Sequence, residues 1–270
     1  MYQQVLPQLL ARWLPALLDG EDHIAETGVL VNGVRWACLD EGVLLLEPEQ
    51  PELARLDLLL SCGIHGNETA PIELLDTLLQ QLASGKVDCP GARVLLLFGN
   101  PAAIRQGERY LDDDLNRMFC GKHLRCANSR EARRAALLEQ YALRFFDMGD
   151  GQRLHLDLHT AIRASFYPSF ALCPAQGEPP YSDSLLGLLQ AAEIYTLLLH
   201  SEPSTTFSYF TRSACNARSL TLELGQARPF GQNQDLSLDA LFGVLLQLLS
   251  GEIPAATDEL DIRQFSVTRE

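Results

Sequence analysis

A histidine and a glutamate three residues apart, in Gly63-Ile-His65-Gly-Asn-Glu68, are the sharpest chemical feature of the sequence. They follow a continuous apolar run and precede a segment with helical spacing, so a turn entering a helix carries both and can aim them at one centre. Imidazole plus carboxylate suits a zinc ion. Gly63 and Gly66 let the backbone turn and leave room for an ion and its substrate. The competing reading is a surface loop whose glutamate caps the helix.

A hydrolytic zinc site needs a third protein ligand and an open position. His159 is the best candidate, in Leu154-His-Leu-Asp-Leu-His159-Thr160, where a strand meets a loop. Asp157 lies two residues back on the same strand face, where a carboxylate can orient a ligand imidazole. His155 shares that face. Pattern alone does not separate the two histidines, and the strand end favours His159.

Around Arg109-Tyr-Leu-Asp-Asp-Asp-Leu-Asn116-Arg117 the three consecutive aspartates lack the spacing of a calcium loop, and read as residues that cap and solvate a turn. Asn116 and Arg117 together make a receptor for a carboxylate, and Arg109 adds a second fixed positive charge. Surface ion pairs are the plain alternative for each arginine. Glu223 is an acidic residue inside the apolar strand Thr221-Leu-Glu-Leu-Gly225. A buried charge needs a partner or a task, and a glutamate near a metal can act as general base to a water attacking a carbonyl. Cys120, His123 and Cys126 are spaced for a second metal but have no fourth ligand nearby, so an irregular loop is the expectation there.

The elements that position these residues alternate. An amphipathic helix is expected over Val5–Leu18, ended by Gly20, followed by a hairpin of Gly28–Asn32 and Val34–Leu39 about Asn32-Gly33. Strands are expected over Gly42–Leu46, Leu56–Ser61, Arg93–Phe98, Arg153–His159, Phe170–Cys173, Ile194–His200 and Arg218–Leu224. Helices are expected over Pro71–Ala83, Ser129–Phe146, Asp183–Ala192 and Leu236–Ser250. This alternation predicts an α/β fold with a mixed, mostly parallel sheet covered by helices on both faces, with ligands bound beyond the strands' carboxyl ends. After Gly251 a linker at Pro254 leads to a strand-like tail, Asp261–Thr268, with nothing after it to pair with.

The 270 residues carry 35 acidic and 21 basic side chains, a formal charge of −14. That excess argues against a nucleic-acid binder or a polybasic membrane-surface protein. No apolar run approaches the ~20 residues of a membrane span. The N-terminus lacks the basic start and cleavage site of a signal peptide, and seven cysteines scattered without a framework fit a reduced, cytoplasmic protein.

Taken together, His65-Gly-Asn-Glu68, Asp114-Leu-Asn-Arg117, Asp157-Leu-His159 and Leu222-Glu-Leu-Gly225 resemble the succinylglutamate desuccinylase/aspartoacylase family, relatives of the zinc carboxypeptidases. The likeness runs from about Asn32 to Gly251 and is strongest to the desuccinylase branch. It implies a zinc-carboxypeptidase-like three-layer sandwich holding one Zn²⁺ per chain on His65, Glu68 and His159. It implies Glu223 as catalytic carboxylate and Arg109 as polariser of the scissile carbonyl. Asn116 and Arg117 would hold a substrate carboxylate, with Arg163 a candidate for a second. The implied reaction is hydrolysis of N-succinyl-L-glutamate to succinate and L-glutamate, the last step of the succinyltransferase route of arginine degradation. Alternatives are hydrolysis of another N-acyl amino acid such as N-acetylaspartate, a carboxypeptidase, or a metal-binding module without catalysis. The expected partner is a small anionic N-acyl amino acid, with neither nucleic acid nor membrane, and a homo-oligomer is left open. Family members usually continue into a C-terminal β-domain, so residues 1–252 are expected as the catalytic domain and 253–270 as a linker and the first strand of a truncated second one.

Overall fold

The structure, a computed structural model, describes residues 8–126, 128–163, 165–174, 183–256 and 261–267. The chain begins with two short helices, α1 (Gln8–Ala11) and α2 (Trp13–Asp19), where one helix over Val5–Leu18 was expected. Arg12 leaves helical geometry between them, and residues 5–7 lie outside the described residues. Gly20 ends α2 in the left-handed conformation, φ +69°.

Strands β1 (Thr27–Val29) and β2 (Arg35–Asp40) form the expected hairpin, with Gly33 at φ +83° in its turn. There follow β3 (Val43–Glu47), β4 (Leu56–Cys62), α3 (Thr69–Ala83) and β5 (Ala92–Phe98). A helix absent from the sequence reading, α4 (Pro101–Gln106), comes next, with Asn100 accepting from the Ala103 amide as its cap. Gly99-Asn100-Pro101 is therefore a helix start, with Pro101 in the first turn, rather than only a strand end.

After α5 (Arg130–Asp147), capped by Ser129, come β6 (Gln152–Ala161), β7 (Ser169–Pro174), α6 (Asp183–Ala191) and β8 (Thr196–His200). The order closes with α7 (Phe207–Cys215), which the sequence reading missed, then β9 (Arg218–Gln226), α8 (Asp239–Leu249) and β10 (Arg263–Val267). α7 is nine residues long and rich in Phe, Tyr, Ser and Thr, weak helix formers, so its helical period covers too few turns to stand out.

All ten described strands join one sheet in the order β1-β2-β3-β5-β4-β6-β9-β7-β8-β10. The centre β5-β4-β6-β9 is parallel, β7 runs antiparallel to β9, and the β1–β3 edge is antiparallel. The sheet is thus mixed, as expected. Helices cover both faces. On one, α1, α2, α3, α6 and α8 pack onto Leu58, Leu60, Leu154, Leu156, Leu158, Leu220, Leu222 and Leu224. On the other, α5 and α7 pack onto Leu59, Leu95 and Leu97.

The tail does find a partner. β10 pairs in parallel register with β8 along five residues, Arg263 opposite Thr196 through Val267 opposite His200. Thr268 lies outside the described residues.

Candidate metal centre

Three parallel strands deliver the chemistry at their carboxyl ends, where a sheet of this kind opens to ligands. β4 leads through Gly63 (φ +61°) into the turn holding His65, and β6 ends at His159. β9 brings Glu223 directly opposite His159, because those two residues pair in register. The Gly66 nitrogen donates to the Arg109 carbonyl at 3.1 Å. A Cβ on Gly66 would lie 2.2 Å from the Ala103 backbone, so its missing side chain lets α4 approach the motif rather than making room for an ion.

Glu68 occupies the cap position of α3, yet its side chain makes no capping hydrogen bond to the helix. Its carboxylate turns into the site instead. Oε2 accepts from the Thr160 amide at 2.9 Å and contacts His159 Nδ1 at 2.9 Å. Oε1 accepts from Arg109 at 2.8 Å and lies 2.8 Å from His65 Nδ1, out of line for a hydrogen bond. The helix-capping alternative is thereby excluded.

Ligand atoms of His65, Glu68 and His159 all lie within 4.8 Å of one another, and all three residues are buried. Both histidines turn Nδ1 toward Glu68 and direct Nε2 to another carboxylate. His65 Nε2 is 2.9 Å from Asp114 Oδ1, and His159 Nε2 is 3.1 Å from Asp157 Oδ2. Two imidazoles and a carboxylate, each imidazole backed by an acidic partner, make a donor set and outer support that suit a divalent metal such as zinc. The observation that fits it is that His65 Nδ1, buried and without an aligned hydrogen bond, faces the Glu68 carboxylate that His159 Nδ1 also faces, as ligands of one cation would.

The electrostatics agree. Burial alone would raise Glu68, but His159 and His65 hold it well below the ordinary glutamate value. Burial would lower His159, but Asp157 and Glu68 raise it well above its ordinary value. Asp114 is likewise held low against its burial, by His65, Arg109 and Arg117. Glu223 differs: burial raises it, Glu68 and Asp157 add to the rise, and His159 and His65 only partly offset it. Its Oε2 is buried without a hydrogen-bond partner.

His65, Glu68, His159 and Glu223 line one cleft of about 440 Å³, together with Arg109, Asn116, Arg117, Thr205, Thr206 and Tyr209. The family model described as the succinylglutamate desuccinylase/aspartoacylase catalytic domain matches residues 54–249. The succinylglutamate desuccinylase of Pseudomonas fluorescens is 48% identical over 263 residues, covering 97% of this chain and 78% of that protein. This chain belongs to the succinylglutamate desuccinylase/aspartoacylase family.

The crystal structure of succinylglutamate desuccinylase from Chromobacterium violaceum superposes with a TM-score of 0.88 at 40% identity, covering 96% of this chain and 83% of that one. Murine aminoacylase 3 shares the fold alone, at a TM-score of 0.52 and 22% identity, over 73% of this chain and 63% of that one. The fold is thus the zinc-carboxypeptidase-like α/β architecture that the family resemblance implies.

Within this family member the structure gathers most of the residues singled out from sequence, and two do not join them. Arg163 is exposed, two residues past the end of β6 at Ala161, and is absent from the residues lining the cleft. His155 lies four residues up the strand from His159, about 13 Å away. It is fully buried, bonded to Thr211 and Ser61. Asn116 lines the cleft, but its side-chain oxygen accepts from the Phe207 amide at 3.0 Å, tying it to the start of α7. Arg109 lines the cleft while donating to Glu68.

Asp114 corrects the sequence reading: it caps the turn at Leu115–Arg117, as expected, and also supports His65. Position in the triple-aspartate run could not show this, since 49 residues separate the pair. Cys120, His123 and Cys126 form no metal cluster, the His65/Glu68/His159 group being the one found among the described residues. They flank and occupy a short 3-10 turn, Lys122–Arg125, with Cys120 exposed and the ring of His123 3.7 Å from Glu139.

Proposed function

We propose that the protein hydrolyses N-succinyl-L-glutamate to succinate and L-glutamate with a zinc ion held by His65, Glu68 and His159. The observation that carries this reading is the convergence of those three buried ligands with the unpartnered carboxylate of Glu223 in one cleft. Relatives bearing the desuccinylase name at 48% identity supply the substrate class.

A bound zinc ion supplies a Lewis acid that polarises an amide carbonyl and acidifies water. Glu223 accepts the proton of the attacking water, a task suited to a carboxylate raised by burial, and returns it to the amide nitrogen as the C–N bond breaks. Arg109 faces the developing negative charge on the former carbonyl oxygen. Asn116 and Arg117 present an amide and a guanidinium to a substrate carboxylate. The substrate is a small polyanion and the chain carries a net charge of −14, so capture depends on positive charge concentrated locally in this cleft.

The reading places the reaction as the last step of the succinyltransferase route of arginine degradation and the protein in the cytoplasm. All seven cysteines are thiols, in keeping with a reducing compartment. No helix among the described residues is long and apolar enough to cross a membrane.

The decisive experiment measures metal content together with turnover of N-succinylglutamate, N-succinylornithine and N-acetylaspartate, before and after chelation. Zinc-dependent release of succinate from N-succinylglutamate is expected. Turnover of N-acetylaspartate alone, or full activity after the metal is stripped, would overturn the assignment.

A further inference from the structure

Behind the metal centre a chain of buried polar groups crosses three strands and a helix without serving the chemistry directly. His155 Nδ1 lies 2.7 Å from Thr211 Oγ1 of α7, and His155 Nε2 lies 2.8 Å from Ser61 Oγ of β4. Ser61 Oγ lies 2.6 Å from Asp157 Oδ1, and Thr211 Oγ1 lies 2.9 Å from Ser219 Oγ of β9. Ser61, His155, Asp157 and Thr211 have no exposed surface at all.

Proton counting gives this chain one direction. A carboxylate only accepts, so the single proton of Ser61 goes to Asp157 Oδ1. The Ser61 oxygen then accepts, and His155 Nε2 must carry a hydrogen. His155 is packed edge-on against Phe207 with ring centroids 4.8 Å apart, and burial pushes its pKa down to about 4, so the ring is neutral. Its Nδ1 is therefore an acceptor, and Thr211, which also lies 3.1 Å from the Ser208 carbonyl and 3.3 Å from the Phe207 carbonyl, donates to it. From Thr211 through His155 and Ser61, the hydrogen bonds point toward Asp157.

We propose that His155, locked by Thr211 as the Nε2–H tautomer, is a positioning residue for the metal centre. Through the Ser61 hydroxyl it pins Asp157 Oδ1, which holds Oδ2 against His159 Nε2 and keeps His159 Nδ1 turned toward Glu68. The alternating polar residues of β6 thus have separate tasks: His159 ligates, Asp157 supports the ligand, and His155 supports the support. The inference rests on the metal-site reading above, and the experiment separates the failure of each.

The test compares the intact protein with Thr211→Val, Thr211→Ser and Ser61→Ala. Zinc affinity is read by competition with a chromophoric chelator, and the His155 ring nitrogens by ¹⁵N NMR with and without zinc. Thr211→Val and Ser61→Ala are expected to weaken zinc binding by roughly 10–100-fold, the range for outer-shell partners, while Thr211→Ser, which keeps the hydroxyl, restores it to within about threefold. NMR of the unsubstituted protein is expected to show His155 neutral and protonated at Nε2, a readout independent of whether any variant folds. A proton on Nδ1, or zinc bound as tightly by Thr211→Val as by the original chain, overturns the proposal alone. Failure of the original chain to bind zinc overturns the metal reading and the proposal with it.

Discussion

The two faces of β6 and β9 are made from the same residues of chain and do opposite work. On one face Leu154, Leu156, Leu158, Leu220, Leu222 and Leu224 pack into the larger apolar layer. On the other, His155, Asp157, His159, Ser219, Thr221 and Glu223 stand in register, His155 opposite Ser219, Asp157 opposite Thr221, His159 opposite Glu223. The apolar face draws its stability from area removed from water, which is tolerant of direction. The polar face is buried almost as fully, so each polar atom there must find a partner or carry a cost of several kcal/mol. α7 meets that demand: Ser208 bonds Thr221, and Thr211 bonds His155 and Ser219. On these two strands the buried atoms without a hydrogen bond are Asp157 Oδ2, His159 Nε2, Thr160 Oγ1 and Glu223 Oε2. Polar satisfaction is thus complete at His155 and Ser219 and withheld from Asp157 toward the carboxyl end of the strands.

Substitutions can break this division, and the largest effect belongs to the ligands. His159→Ala is expected to abolish zinc retention after gel filtration and to reduce hydrolysis by ~10⁴-fold or more, given the accelerations typical of enzymes. Glu223→Gln keeps the donor set, so metal content stays at one per chain while kcat falls by roughly 10²–10⁴-fold, the usual worth of a general base. Near-original turnover in that variant would remove Glu223 from the mechanism.

The apolar face answers differently. Leu156→Ala is expected to lower folding stability by about 2–5 kcal/mol in chemical denaturation, with zinc affinity of the folded protein unchanged. A parallel loss of zinc affinity would show the faces to be one coupled unit.

The smallest effect is a pH dependence. Without metal, His159 holds a proton above its ordinary value of 6.5, because Asp157 and Glu68 outweigh its burial. That imidazolium contributes stability to the metal-free fold fully below about 6.5, and the contribution is lost as pH rises through the folded value. Zinc must displace the proton from Nδ1, so affinity moves the other way, weakening about tenfold per unit as pH falls below that value. Calorimetry in buffers of different ionisation enthalpy counts the released proton, and a pH-independent affinity would contradict the charged, metal-free state.

Much of this was legible from spacing. His65 and Glu68 could be paired because three residues on a turn bring side chains together under any tertiary fold, and Asp157 with His159 because strand side chains alternate with period two. The alternation of strands and helices sufficed for the sandwich. Asp114 was read only as a turn residue, since its second role depends on His65, 49 residues away in sequence. Arg163 was implied by the family resemblance alone, and it stands exposed two residues beyond the end of β6.

By itself, then, the sequence determined which residue types stand ready for zinc chemistry and which strands carry them, because those follow from local periodicity and residue chemistry. Tertiary structure decided the rest. It chose His159 over His155, since the β6/β9 register sets His159 beside Glu223 while α7 seals His155 against Thr211. It turned Glu68 from a helix cap into a bridge between two imidazoles, and joined the tail strand to β8. Each of these depends on which distant backbone lies alongside, a matter of strand order and packing that no short window of residues contains.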